Sequence, residues 1–102
     1  MRRKIVVRPE AYADLSDISR WYEDRVLGLG AGFLHQVDAA IDRISDSPAS
    51  YSIYYRDIRR IRLGKFPYAI FFVSLKSTIA VLGVFHLHRN PRSLRKRLRD
   101  RE

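Results

Sequence analysis

Three runs rich in β-branched and aromatic residues, 59–63, 68–73 and 78–87, follow one another too closely for a crossover helix to fit between them. The second half of the chain is therefore confined to an antiparallel meander, with Gly64-Lys65 and Leu75-Lys76 as its expected turns. The first half has a different period. Lys4-Ile5-Val6-Val7-Arg8 reads as a short strand, and Pro9 with Glu10 suits the opening turn of a helix. Ala11, Leu15, Ile18 and Tyr22 share one stripe of that helix. The glycine-rich stretch 28–32 breaks it. That stretch has no Lys-Ser/Thr after it and joins helix to helix, so it is no phosphate-binding loop. Leu34, Val37, Ile41 and Ile44 mark a second helix, which Ser45-Asp46-Ser47-Pro48 ends. A short strand, an αα-hairpin and a three-stranded meander predict an α+β fold, with the helices packed on one face of the sheet.

The chain has 102 residues, enough for one domain (1–102) and no second core. It has no cysteine, which excludes disulfides, thiolate-bound metals and thiol catalysis. Three histidines without a metal-binding spacing predict no metal site, and no cofactor is expected. The longest apolar run falls far short of the ~18 residues a membrane span requires. Met-Arg-Arg-Lys leads into a strand rather than a signal-peptide core. The expectation is a soluble cytoplasmic protein with no membrane partner.

Charge is unevenly spread. The net charge is +9, yet residues 9–47 hold eight acids and only three basic groups, whereas residues 48–102 hold thirteen basic groups and three acids. If the helices form one layer and the sheet another, the molecule has a negative and a positive side, and the positive side favours an acidic partner. Asp14 with Asp17, and Asp38 with Asp42, share helix faces and read as solvated acids.

Two-residue turns would set Arg60 opposite Ala69 and Phe71 opposite Ala80. Alternation then puts Arg59, Ile61, Tyr68, Ile70, Phe72, Ile79, Val81 and Phe85 on one face, and Arg60, Arg62, Ala69, Phe71, Val73, Ala80, Leu82, Val84, His86 and His88 on the other. The bulkier first set is expected under the helices. The second set is half apolar and half cationic. It suits an acidic amphipathic segment whose carboxylates meet Arg60 and Arg62 while its apolar groups cover Phe71, Val73 and Leu82. The basic tail 89–102 is the other occupant the sequence allows. Leu94 and Leu98, four residues apart, would dock it there as a helix, and without that docking it frays.

The stretches Arg59-Arg60-Ile61-Arg62-Leu63-Gly64-Lys65-Phe66-Pro67-Tyr68-Ala69-Ile70-Phe71-Phe72 and Val81-Leu82-Gly83-Val84-Phe85-His86-Leu87-His88-Arg89-Asn90-Pro91 carry a resemblance. With Arg8-Pro9-Glu10-Ala11-Tyr12-Ala13-Asp14-Leu15 and the following Ile18, Trp21 and Tyr22, they are similar to the RelE/ParE superfamily of toxins, in its ParE-like, plasmid-stabilisation branch. The resemblance spans nearly the whole chain. It implies a toxin neutralised by a small antitoxin, whose acidic amphipathic segment would take the face of Arg60, Arg62, Phe71, Val73 and Leu82. ParE-like members inhibit DNA gyrase without known catalysis. RelE-like members cleave mRNA on the ribosome through attack of a ribose 2′-OH on the adjacent phosphate. The tail residues Arg89, Arg92, Arg95, Lys96 and Arg97 are expected to engage the target more than to support the fold.

RNA cleavage would require a base, an acid and cations around the phosphorane. His86 could move protons and Arg62 could hold phosphate, provided the two stand together. The basic-plus-tyrosine set of a RelE-like nuclease does not stand out, although Tyr51, Tyr54 and Tyr55 precede the basic strand. Gyrase inhibition is therefore favoured over the ribosome-dependent endoribonuclease. A free-standing nucleic-acid-binding module is a third reading, for which no recognition helix is evident.

Overall fold

The computed structural model describes residues 2–102. The chain runs β1 (Lys4–Val7), α1 (Pro9–Arg25), α2 (Leu29–Asp46), a 3-10 turn (Pro48–Ser50), β2 (Ile53–Tyr55), β3 (Ile58–Arg62), β4 (Tyr68–Ser74), β5 (Thr78–His86) and α3 (Pro91–Arg101). The five strands form one sheet in the order β1-β5-β4-β3-β2, with β1 parallel to β5 and the other pairs antiparallel. The α+β reading holds, with one strand more than expected, because Ile53–Tyr55 pairs with β3. Among the described residues no helix is long and apolar enough to cross a membrane.

The turn between α1 and α2 is tighter than its glycines suggest. Only residues 26–28 separate the helices, with Gly28 in the left-handed region at φ 86°. The Glu23 carboxylate accepts from the Gly28 N–H (2.8 Å) and the Gly30 N–H (2.9 Å), so α1 satisfies the free donors that open α2. Gly30 lies inside α2, where a Cβ would collide with the Ser19 carbonyl oxygen of α1. The buried face of α2 is Phe33, Val37, Ala40 and Ile44, and Leu34 is left 40% exposed.

The sheet is covered on both faces. Phe33, Val37 and Ile44 pack with Ile61, Ile70, Phe72, Ile79 and Val81 on the hairpin side. Leu94 and Leu98 of α3 pack with Ile58, Phe71, Val73, Leu82 and Phe85 on the other. The tail is thus a helical layer and not a frayed end. Its start is written in Asn90-Pro91: the Asn90 side chain accepts from the N–H groups of Arg92 (2.9 Å) and Ser93 (3.2 Å), and Pro91 occupies the first helical position. Target engagement and folding are therefore not alternatives for this segment, because its apolar side completes a core while its basic side stays in water.

Register corrects the face assignment. Arg60 lies opposite Phe71 and Arg62 opposite Ala69, because the β3–β4 connection spans residues 64–67. The next turn centres on residues 76–77 and pairs Ser74 with Ile79. Each differs from expectation by two residues, which leaves the faces unchanged. A bulge in β5 adds one residue between the Phe72–Val81 and Phe71–Gly83 pairs, which reverses everything beyond it. Val84 goes to the hairpin core and Phe85 to the α3 core. His86 pairs with Tyr68, whose side chain packs on the hairpin core.

An ion pair fills the bulge. Asp14 Oδ2 accepts from the Val84 N–H at 3.0 Å and from Arg101 Nη1 at 2.6 Å, and the same Nη1 reaches the Leu82 carbonyl at 3.3 Å. Asp14 is therefore not a solvated acid: it and Arg101 are only 17% and 11% exposed. Gly83 makes room for the pair, since a Cβ there would lie 2.5 Å from Arg101 Nη1 and 2.7 Å from Phe85 Cε2.

Leu98 is fully buried, so Leu98→Ala is expected to cost about 2–5 kcal/mol in urea unfolding. A loss below about 0.5 kcal/mol would mean that α3 is dispensable to the fold.

Candidate functional site

Two sets of basic groups in the tail lie on different sides of α3. Arg92, Arg95, Lys96 and Arg99 recur at i, i+3, i+4 and i+7, on the side opposite Leu94 and Leu98. With Tyr55, Asn90 and Ser93 they line an open cleft of about 870 Å³ between α3 and the end of β2. Arg89 and Arg97 instead line a smaller cleft of about 220 Å³ toward α1, with Asp14, Asp17, Tyr68 and His86. The five residues expected to engage a target are thus parted by α3 itself. The Arg89 guanidinium lies 5.2 Å from the Phe85 ring centroid. Burial lowers its pKa, as does the charge of Arg97.

The face expected to receive an acidic segment is closed in this conformation. Phe71, Val73 and Leu82 are at most 4% exposed, in the core that α3 completes. Of that set Arg62 is exposed and Arg60 half-buried. An aromatic column runs beneath them: Tyr54 contacts Phe71 (5.3 Å), and Phe71 contacts Phe85 (5.8 Å). The Arg60 guanidinium caps one end over Tyr54 at 4.8 Å, and Arg101 caps the other over Phe85 at 4.8 Å. A second surface went unread in the sequence. Val7, Tyr12, Leu15, Leu34, Val37 and Ile41 line an open, mostly apolar groove between α1 and α2.

The two residues expected to cleave RNA do not meet. Arg62 lies opposite Ala69, on the α3 side, whereas His86 lies opposite Tyr68, with ring centroids 5.1 Å apart on the hairpin side. The bulge is the cause. The His88 backbone N–H donates to His86 Nδ1 at 3.1 Å. With that lone pair taken, a neutral imidazole carries its proton on Nε2 and offers no base to a substrate. Among the described residues no group of three or more His, Cys, Asp or Glu side chains is placed to hold a metal ion.

Of the three tyrosines that precede the basic strand, Tyr55 is the one that the structure sets among cations. Arg99 Nη1 donates to its phenol at 3.4 Å, and Arg56 and Arg95 place guanidinium carbons 5.5 and 6.0 Å from its ring centroid. The run Ile53-Tyr54-Tyr55 was legible as a strand by its β-forming residues. Its position beside α3 was not legible, because that depends on which face the tail covers. The hydrogen bond from Arg99 lowers the Tyr55 pKa, aided by the charges of Arg56 and Arg99 and opposed by slight burial. Burial raises that of Tyr22, and burial with the neighbouring Tyr22 raises that of Tyr68.

Residues 5–98 match the family model described as the ParE toxin of type II toxin–antitoxin systems, parDE. No curated protein matches the sequence. Among solved structures, a chain of the chromosomal ParDE toxin–antitoxin system from P. aeruginosa superposes with a TM-score of 0.72 at 14% identity, covering 83% of this chain and 96% of that one. A chain of the RelBE2 toxin–antitoxin complex from Mycobacterium tuberculosis superposes with a TM-score of 0.54 at 16% identity, covering 84% and 99%. At these identities the likeness is one of fold.

The cationic surroundings of Tyr55 favour its phenolate, whereas burial disfavours that of Tyr22 and Tyr68. On raising the pH, tyrosinate absorbance is expected to show Tyr55 ionising ahead of the other two. Tyr55→Phe should remove the early step, and Arg99→Gln should move it upward. An early step that survives Tyr55→Phe would contradict the assignment.

Proposed function

Because this chain belongs to the ParE toxin family of type II toxin–antitoxin systems, we propose that it inhibits DNA gyrase by binding, without catalysis, and that a small cognate antitoxin neutralises it. The observation that supports binding over catalysis is the separation of Arg62 from His86 onto opposite faces of the sheet. Cleavage by 2′-OH attack needs a proton acceptor and a phosphate-binding cation around one substrate. Here the imidazole has its free lone pair occupied and the guanidinium points away from it. What the α3 side offers instead is an exposed stripe of permanent cations on a rigid helix.

Neutralisation follows from the same layer. Carboxylates of an acidic antitoxin segment meet Arg60 and Arg62 at the sheet margin. Phe71, Val73 and Leu82 become available to its apolar groups only where α3 gives way. A segment that took the place of α3 would cover this apolar surface and carry the cationic stripe out of position in one step. The occupant and the helix are then competitors for one core, so the antitoxin has to outbind Leu94 and Leu98.

The experiment pairs two purified assays with one variant. Wild-type protein should inhibit gyrase supercoiling and leave ribosome-bound mRNA intact. His86→Gln should still arrest growth, since losing one contact costs about 1 kcal/mol. A proton-transfer residue would instead cost on the order of 10²–10⁴-fold in rate. Loss of toxicity in a folded, antitoxin-binding His86→Gln protein, together with mRNA cleavage by wild type, would overturn this reading.

A further inference from the structure

The cleft between α3 and β2 is crowded with like charge. Arg92, Arg95, Lys96 and Arg99 line one wall, and Arg56 approaches the same tyrosine from the β2–β3 turn. Among the described residues no carboxylate lies within 4 Å of the charged ends of Arg92, Arg95, Lys96 or Arg99, and Arg56 has only Glu102, at 3.7 Å. Arg56 is also the one non-glycine residue among those described with a positive φ, 56°, a conformation that carries backbone strain. Repulsion and strain both oppose folding. Their concentration around one partly exposed aromatic ring marks a surface kept for a ligand rather than for the fold.

We propose that this cleft binds single-stranded nucleic acid, with its phosphates on the stripe Arg92, Arg95, Lys96 and Arg99 and a base stacked at Tyr55. The inference names the partner chemistry of the α3 surface proposed above and rests on that reading, though not on gyrase being the target. Three features favour a nucleic acid strand over an acidic peptide. The stripe extends along about 10 Å of helix, the reach of about two successive phosphates. Every cation on that wall but one is a guanidinium, suited to bidentate contact with phosphate oxygens. The cleft also holds a tyrosine ring and planar guanidinium groups, which are stacking surfaces for a base and have no counterpart in a carboxylate side chain. A duplex fits poorly. The bases of a duplex are held in pairs inside their own stack, so none is free to stack on Tyr55 at the floor of the cleft. Contacts to phosphate and stacking on an aromatic ring carry little base identity, so binding is expected with little sequence preference.

The test uses the full-length protein and fluorescein-labelled oligothymidylate, with an equal-length duplex and polyglutamate as competitors. The expected result is saturable binding that the duplex and polyglutamate displace poorly. Tyr55→Leu should weaken it roughly tenfold through lost stacking. The triple variant Arg92→Gln, Arg95→Gln, Arg99→Gln should flatten the dependence of log K on log salt by about 1.4, near 0.7 for each of the two phosphates the stripe reaches. The same triple variant should melt no lower than wild type, because it relieves repulsion in the free protein. A structural role would give the opposite, a lower melting temperature. Equal or tighter binding of duplex or polyglutamate, or binding indifferent to Tyr55→Leu, would overturn the proposal. A protein that ignores the oligonucleotide yet inhibits gyrase would also overturn it while leaving the toxin reading intact. Oligonucleotide binding without gyrase inhibition would support it and count against the gyrase reading alone.

Discussion

A single extra residue in β5 sets the relation of every layer to the sheet. A strand alternates its side chains with a period of two, so one inserted residue reverses all that follow. The insertion at Leu82 turns Phe85 into the α3 core and His86 toward the hairpin, and it leaves backbone groups of Leu82 and Val84 turned from the ladder. Asp14 of α1 and Arg101 of α3 bind those groups and each other. The pair is mostly buried, and its cost of desolvation is offset by the hydrogen bonds that satisfy both its charges and the bulge. The clip therefore ties the first helix, the central strand and the last helix at one point.

The division of labour within α3 follows from that attachment. One side supplies Leu94 and Leu98 to a core, and Arg101 to the clip. With the helix held at both its middle and its end, the other side can carry four closely spaced cations without unwinding. Unneutralised charge on a rigid helix opposes stability and favours binding of anions. The acidic faces of α1 and α2 lie across the sheet, so the molecule keeps the two-signed surface implied by its charge distribution.

Much of this was legible in the residues, and the exceptions share one physical origin. The stripe of Ala11, Leu15, Ile18 and Tyr22 packs as read, and so do Ile61, Ile70, Phe72 and Val81. The two-residue differences in turn register keep every side chain on its expected face up to the bulge. The bulge was not legible: Leu82-Gly83-Val84 alternates as well as any strand, and its irregularity depends on Asp14 and Arg101 arriving from distant segments. The misplacement of Val84, Phe85 and His86 all descends from that. The docking of α3 was readable in part, from Asn90-Pro91 as a cap and Leu94 with Leu98 as a stripe, but the basic composition masked it. The Tyr55 cleft needed both the extra strand β2 and the docked helix before it existed.

The account stands on the clip between Asp14 and Arg101, and a double-mutant cycle on the two residues measures it directly. Urea unfolding of Asp14→Asn, Arg101→Gln and the double variant should give single losses of about 2–3 kcal/mol each, because each leaves a largely buried partner unpaired. The coupling should exceed about 1 kcal/mol, since the second substitution removes a charge already stranded. Small, additive losses below about 0.5 kcal/mol would contradict the claim that this pair fixes α3 to the bulge of β5.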